Sequence, residues 1–440
     1  MRKILFATAI AAAAAMPAHA APVLMISVDG LRPLDVIEAD KRGLKVPNMR
    51  ALMASGAYAT GVRNVLPTVT YPDHTTLVTG VWPDVHGVHA NVKFDPLGKN
   101  FEGWYWYAAD IKVPTLWDEV HDAQGKTASF GWPVTVGAEN IDFNIPEYWR
   151  AQTLDDVNVV RAVSTPHLVA RLEKETGMPL SAILGESTGN DTVRAKYAAA
   201  VIADEHPELT LIHLVASDGN QHEYGPGSPE AHAAIENIDA SIGDLVAAAR
   251  KADPSTVIAV VSDHGFAPVE HDVNLMVPFV DAGLITLDPA THKVTAWKAM
   301  PWMSGGSAAI MLNDPKDDAT RKQVGDMLKK LAADPANGIA QILDTKAIAK
   351  RGGAPEAAFW VDFTIGYESG RKMSGPLVTP GSIKGNHGYI PDHPEMRATF
   401  IIDGTPLKGS LGDIDMRRIA PTLAKAMGVP LPDAPLKPLY

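Results

Sequence analysis

Residues 23–30, VLMISVDG, decide how this chain is read. An apolar, β-forming run from Val23 to Val28 carries no charged residue and stops at the turn pair Asp29-Gly30. A run of that length fits a strand covered on both faces, as in a parallel sheet. The pattern returns twice. Thr210-Leu-Ile-His-Leu-Val-Ala216 leads to Asp218, and Val257-Ile-Ala-Val-Val261 leads to Ser262-Asp263-His264-Gly265. Helical spacing separates these runs: Asp191 to Ala203 is one helix, and after Glu230 the residues Ile235, Ile238, Ile242, Leu245 and Val246 mark an amphipathic one. Alternating strands and helices imply an α/β fold with a central, mostly parallel sheet flanked by helices. Ligands of such sheets bind beyond the carboxyl ends of the strands, where Asp29, Asp218 and Asp263 would lie.

Outward from this frame, Pro47 to Ser55 reads as a short helix and Lys126 to Trp132 as a strand. Pro166 to Glu175 reads as a helix with Thr165 as its N-cap. Ala308 to Leu312 and Ala398 to Asp403 have strand character, and helices fit Asp317 to Ala333 and Arg417 to Met427. The region 277–381 is less regular and is expected to form an inserted capping subdomain within one catalytic domain spanning 21–440. Aromatic residues crowd Phe101 to Trp117, and Tyr148 and Trp149 sit in a second aromatic loop, Ile145 to Arg150. Most such rings belong to a core, although some could stack on a flat substrate group.

Residues 1–20 have Arg2 and Lys3, an Ala-rich apolar run and Ala18-His19-Ala20, the pattern of a secretory signal cleaved after Ala20. A periplasmic or secreted location is therefore expected, and no later segment approaches a membrane span. The formal charge of −12 becomes −14 when Arg2 and Lys3 leave with that segment, which disfavours a grip on long nucleic acid. The chain has no cysteine and 15 histidines, so a metal would have to be held by His, Asp and Glu. Nothing in the sequence reports an oligomeric state.

Asn64 to Asn91 contains Thr70, read as the N-cap of a helix that has Pro72 in its first turn and continues through His74 to Val78. Alone, Thr70 is a helix cap. A hydroxyl at a helix N-terminus becomes a nucleophile when a neighbour lowers its pKa. Asp29, Asp218, His222, Asp263, His264 and His387 are the candidates for that neighbour, placed at strand ends or in glycine-bounded loops, with His222 read as part of a loop after its strand. Asp and His ligands without cysteine suit zinc or similar divalent ions, and two ions about 4 Å apart form a clamp for displacement at phosphorus.

Taken together, Ser27-Val-Asp29-Gly30, Pro67-Thr-Val-Thr70-Tyr-Pro72, Val78-Thr-Gly80, His86-Gly87, Asn91, Asp218 with His222, Ser262-Asp-His-Gly265 and Gly385-Asn-His-Gly388 resemble the nucleotide pyrophosphatase/phosphodiesterase branch of the alkaline phosphatase superfamily, from about Val23 to Phe400. The resemblance implies an alkaline-phosphatase-like fold and two Zn2+ ions, other divalent metals being possible. One ion would be held by Asp29, Thr70, Asp263 and His264, the other by Asp218, His222 and His387. Thr70 would be the nucleophile of a phospho-threonine intermediate, and Asn91 would bind a phosphoryl oxygen. Tyr71, Trp104 and Tyr148 are candidate substrate-binding residues, Tyr71 standing where family members often have Phe. The family's frequent Trp-Pro-Gly reads Trp132-Pro133-Val134 here.

The implied substrate is a small phosphodiester or nucleotide. Sulfatases of the superfamily carry a Cys or Ser in a C/S-x-P-x-R motif, whereas this chain reads Thr70-Tyr-Pro-Asp-His74. Related threonine phosphatases add a Lys-x-Arg pair for the extra charge of a monoester, and Lys126 to Glu139 contains none. Phosphomonoesterase or phosphonate hydrolase chemistry on the same metals is the enzymatic alternative, and a metal- or phosphate-binding periplasmic protein the non-enzymatic one.

Overall fold

The computed structural model describes residues 20–100, 103–148, 156–183 and 185–440. Most of the signal-like segment, Phe101, Trp149 and Arg150 lie outside the described residues. Val23–Val28 is the middle of an eight-stranded sheet, paired in parallel with Leu209–Leu214 on one side and Val257–Val261 on the other. Thr127–Phe130 and Phe143–Ile145 extend the parallel part beyond Leu209–Leu214. Phe400–Asp403 pairs antiparallel with Val257–Val261, and Ala57–Tyr58 and Gly409–Ser410 complete that edge.

Alternation along each strand divides the interior in two. Leu24, Ile26 and Val28 pack with Ile212, Leu214, Ile258 and Val260 under the helices Pro47–Ser55, Thr188–Glu205 and Pro229–Ala252. Val23 and Met25 pack with Leu211, Ala259 and Val261 on the opposite face, under Thr70–Thr79, Leu116–Asp122 and Ile419–Met427. Cover on both faces explains why these strands read as unbroken apolar runs. Where the second face reaches the carboxyl edge, Ser27 and His213 stand directly opposite each other in register, both fully buried.

Pro229–Ala252 starts at Ser228, whose side chain accepts the Ala231 N–H, with Pro229 in the first turn. The C-terminal third carries further sheets. Ala299–Ser304, Ser307–Leu312, Ala357–Phe363 and Ile339–Asp344 form an antiparallel sheet over which Val324 and Leu328 of helix Asp318–Ala332 are buried. Ala267–Val273 pairs with Gly366–Ser369, Val378–Pro380 and Gly385–Asn386, which brings His387 to the carboxyl edge of the central sheet.

Three local expectations are corrected. Helix Thr70–Thr79 has Val69 as its extended N-cap, so Thr70 is its first residue. Helix Leu168–Thr176 starts two residues later than read, because the Thr165 hydroxyl accepts the Asn144 N–H at 2.8 Å instead of capping. His222 lies on helix Ala216–Tyr224 rather than in a loop, since the Asp191 carboxylate accepts the Val215 and Ala216 N–H groups at 2.9 Å each and starts that helix. Among the described residues no helix is long and apolar enough to cross a membrane.

Candidate active site

The parallel register of three adjacent strands sets Asp29, Asp263 and the Asp218 helix side by side. Asp29 follows its strand directly, and Gly30 turns the chain with φ +68, where a Cβ would stand 2.9 Å from the Phe266 ring. The Gly30 N–H donates to Asp263 Oδ1 at 3.1 Å, and the His264 N–H donates to the same oxygen at 2.9 Å. Asp263 Oδ2 is thereby left toward the site.

His264 Nε2 lies 3.2 Å from Asp263 Oδ2 and 3.4 Å from Asp29 Oδ1. Asp29 Oδ1, Asp263 Oδ2, His264 Nε2 and Asp218 Oδ1 are all buried without a hydrogen-bond partner. Buried polar atoms are nearly always paired, so four orphans aimed at a common space are the signature of a cation site. Asp29, Asp263 and His264 each bring a ligand atom within 4.8 Å of the others, and Asp218, His264 and His387 do the same. His222 joins the second group through a 3.2 Å contact of Nε2 with Asp218 Oδ2, four residues back on the same helix. The His264 and His387 rings stack at 3.5 Å between centroids and join the two groups.

Each of these three histidines is oriented from behind. Nδ1 of His222 donates to the Gly385 carbonyl at 2.9 Å, Nδ1 of His264 to Gly265 at 3.1 Å, and Nδ1 of His387 to Thr68 at 3.0 Å. In the neutral imidazoles of His264 and His387 that fixes the tautomer that leaves Nε2 free for a metal. Burial holds the His264 and His387 imidazoles down at about 4 and about 3, so both are neutral. Burial, then the carboxylates of Asp263 and Asp218, raises Asp29 well above its ordinary range. Burial alone would lower His222, but Asp218 outweighs it and lifts the imidazole to about 9; the same pairing outweighs burial at Asp218 and holds its carboxyl below the usual range. In the metal-free fold a proton therefore sits on His222.

The turn bearing Thr70 is pinned between the two groups. Thr68 accepts from His387 two residues earlier in the chain, and His74 Nδ1 donates to the Thr70 carbonyl at 2.8 Å while lying 3.6 Å from Asp263 Oδ2. The Tyr71 N–H, one of the unpaired donors of the first helical turn, donates to Asn91 Oδ1 at 2.9 Å. Asn91 thus caps the helix from outside, and it lines a cleft of about 740 Å³ with Trp104, His222, Arg371 and His387. His74, His213 and Asp263 form a third close triad. His74 is already bonded to Thr70 and Ser27, and His213 to Asp29 and Glu147, so this triad is a hydrogen-bonded support.

The aromatic residues divide. Trp104 lines the cleft. Tyr71, expected to flank a substrate ring, is fully buried against Trp104 and Trp106, with its hydroxyl donating to Glu147 at 3.0 Å. Tyr148 is half-buried, with its ring 4.9 Å from that of Trp106. Glu147, Asp191, His213 and Glu186 went unread in the sequence. His213 was visible as a polar residue inside an apolar strand, and Glu147 as an acid among aromatic neighbours. Glu186 packs over Gly219, where its Oε2 lies 2.6 Å from the position a Cβ would take, and burial followed by Asp218 raises its carboxyl to about 8.

Known proteins resemble this chain in sequence and in fold. A model of the type I phosphodiesterase / nucleotide pyrophosphatase family matches residues 23–390. An uncharacterized pyrophosphatase/phosphodiesterase of Schizosaccharomyces pombe is 26% identical over 411 residues, covering 91% of this chain and 73% of that protein. Ectonucleotide pyrophosphatase/phosphodiesterase family member 5 of Homo sapiens is 27% identical over 250 residues, covering 55% of this chain and 44% of that protein. Family member 3 of Bos taurus is 24% identical over 256 residues, 56% of this chain and 25% of that protein, so the match spans less than half of these two animal relatives. Among solved structures, an inactive variant of murine ectonucleotide pyrophosphatase / phosphodiesterase 5 in complex with AMP superposes with a TM-score of 0.64 at 19% identity, over 93% of this chain and 96% of that one, a likeness of fold.

Proposed function

The chain belongs to the type I phosphodiesterase / nucleotide pyrophosphatase family, and from that premise we propose that it is an exported phosphoric diester hydrolase that cleaves small phosphodiesters or nucleotide pyrophosphates at a two-cation site through Thr70. The observation that carries this reading is the convergence of four partnerless buried ligand atoms beside the start of the Thr70 helix. Asp29, Asp263, His264 and Thr70 fit one divalent ion, and Asp218, His222 and His387 a second, zinc suiting the donor set. When bound, such ions supply positive charge to the phosphoryl oxygens and make a hydroxyl more acidic.

The chain's own groups do the rest. Thr70 Oγ1 attacks phosphorus as its proton is lost, and the bond to the leaving alcohol or phosphate breaks, with a proton returning to that group. Water then attacks the same phosphorus, the Thr70–O–P bond breaks, and Thr70 recovers its proton as the phosphate monoester departs. Asn91, whose Oδ1 is engaged by the Tyr71 N–H, presents its Nδ2 to a phosphoryl oxygen. Trp104 offers an apolar wall to one ester group.

A phosphomonoesterase is the second reading, because Arg371 lines the cleft and could meet the extra charge of a monoester. Comparing zinc-loaded protein on nucleotide, lipid-headgroup and aryl diesters with a nitrophenyl monoester separates the two. Diester rates above the monoester rate support the proposal, and equal or faster monoester hydrolysis overturns it.

A further inference from the structure

Glu147 connects two parts of the site that lie far apart in sequence. Its Oε1 accepts from the Tyr71 hydroxyl at 3.0 Å, and its Oε2 lies 2.8 Å from Nδ1 of His213. The other His213 nitrogen, Nε2, reaches Asp29 Oδ2 at 3.0 Å, which leaves Asp29 Oδ1 as the orphan facing His264. Tyr71 follows Thr70 directly and holds Asn91 through its own N–H. A buried carboxylate is costly unless its oxygens meet donors. Here one donor comes from the turn that bears Thr70 and another from the strand beside Asp29.

We propose that Glu147 is a positioning residue that sets the Thr70 turn through Tyr71 and the orientation of Asp29 through His213, so that nucleophile and first cation group are held in one frame. The proposal rests on the two-cation reading of the site. Groups that orient a metal ligand from behind typically contribute about ten- to a hundred-fold in metal affinity or activity. The two arms have separable consequences. Tyr71→Phe removes only the hydroxyl, so kcat on an aryl nucleotide diester should fall about ten-fold while zinc affinity stays within about two-fold of wild type. His213→Phe removes the partner of Asp29, so zinc affinity should fall about ten-fold or more. Glu147→Gln, which cannot accept from both neighbours with the charge of a carboxylate, should show both losses.

The test is chelator competition with zinc alone on metal-stripped protein, run beside kcat and KM at saturating zinc, with circular dichroism as the fold control. Wild-type zinc affinity and kcat in Glu147→Gln would overturn the proposal. So would equal losses of both quantities in the two single-arm variants, since that pattern means general loosening. If Glu147→Gln fails to fold, the two single-arm variants decide: the split pattern supports the link, and two unchanged variants overturn it. A wild-type protein that takes up no zinc overturns the two-cation reading along with the link, an outcome distinct from zinc-binding wild type with indifferent variants.

Discussion

At the scale of single residues, the site consists of side chains whose second polar atom is already committed. Asn91 gives Oδ1 to the Tyr71 N–H, so its remaining group is a fixed donor. Asn91→Ala should lower kcat by about a hundred- to a thousand-fold, the usual cost of one preorganised donor to a developing charge, with wild-type zinc content. Thr70→Ala should lower turnover at least about a thousand-fold in steady-state assays while the protein still folds and binds metal, because the proposed nucleophile is lost and the carboxylate and imidazole groups of Asp29, Asp263 and His264 remain. Acid quench during turnover should trap labelled phosphate on wild-type protein and none on this variant; label on both would place the covalent step elsewhere. Asp29, Asp218, Asp263 and His264 stand out in the sequence because they follow the end of an apolar run, whereas His222 and His387 stand out only through the motifs that carry the family resemblance. Tyr71, expected to flank a substrate ring, is buried for an instructive reason. Its position relative to Thr70 was visible, but its burial depends on Trp104 and Trp106, thirty residues on, and on an acid, Glu147, in a different loop.

At the scale of elements, the strands were legible and the helix starts were not. Apolar runs report burial on both faces wherever they occur, whereas a cap depends on which side chain wins a given N–H. Thr165 has the right type for a cap and spends its hydroxyl on Asn144, and the Thr70 helix is capped by Asn91 from another segment. The helix carrying Asp218 and His222 is the most consequential case. Its sequence, Ala-Ser-Asp-Gly-Asn, suggests a turn, and Asp191 of helix Thr188–Glu205 converts it by accepting the first two N–H groups. Helical spacing then sets Asp218 and His222 on one face. Asp191→Ala should therefore destabilise the protein by about 1 to 2 kcal/mol, the upper range for a lost N-cap. Its zinc affinity should fall as well, read by chelator competition, because the helix that presents two ligands loses its start. A stability loss with unaltered zinc affinity would show that the helix is held by its other contacts alone.

At the scale of the molecule, the fold gathers like charges at one edge of its sheet. Asp29, Asp218 and Asp263 converge there in a chain of formal charge −12, and burial, followed by that crowding, raises Asp29. A bound cation should stabilise the whole fold, by about 2.7 kcal/mol at free zinc one hundred times its Kd, and chelation should lower the melting temperature reversibly. The size of that gap should depend on pH in a definite direction. His264 and His387, at about 4 and about 3, are already neutral and contribute nothing to the dependence above pH 6. His222 is the opposite case: its value in the metal-free fold is about 9 against an ordinary 6.5. A raised histidine stabilises the metal-free fold fully below pH 6.5, and that contribution is lost as pH rises through about 9. Over the same window the proton competes with zinc for the ring, so zinc affinity rises, at most about ten-fold per pH unit for each proton displaced. Asp29 and Glu186, both raised by burial and by neighbouring carboxylates, give up protons to an arriving cation in the same sense. These are two views of one proton equilibrium, so the difference in melting temperature between zinc-loaded and metal-free protein should widen from pH 6.5 to 9 and level off above it. Paired melts across that range test this, with proton release on zinc addition in a weak buffer as the independent readout. A gap that narrows with rising pH would mean that His222 does not lose its proton to the metal, and would remove it from the ligand set.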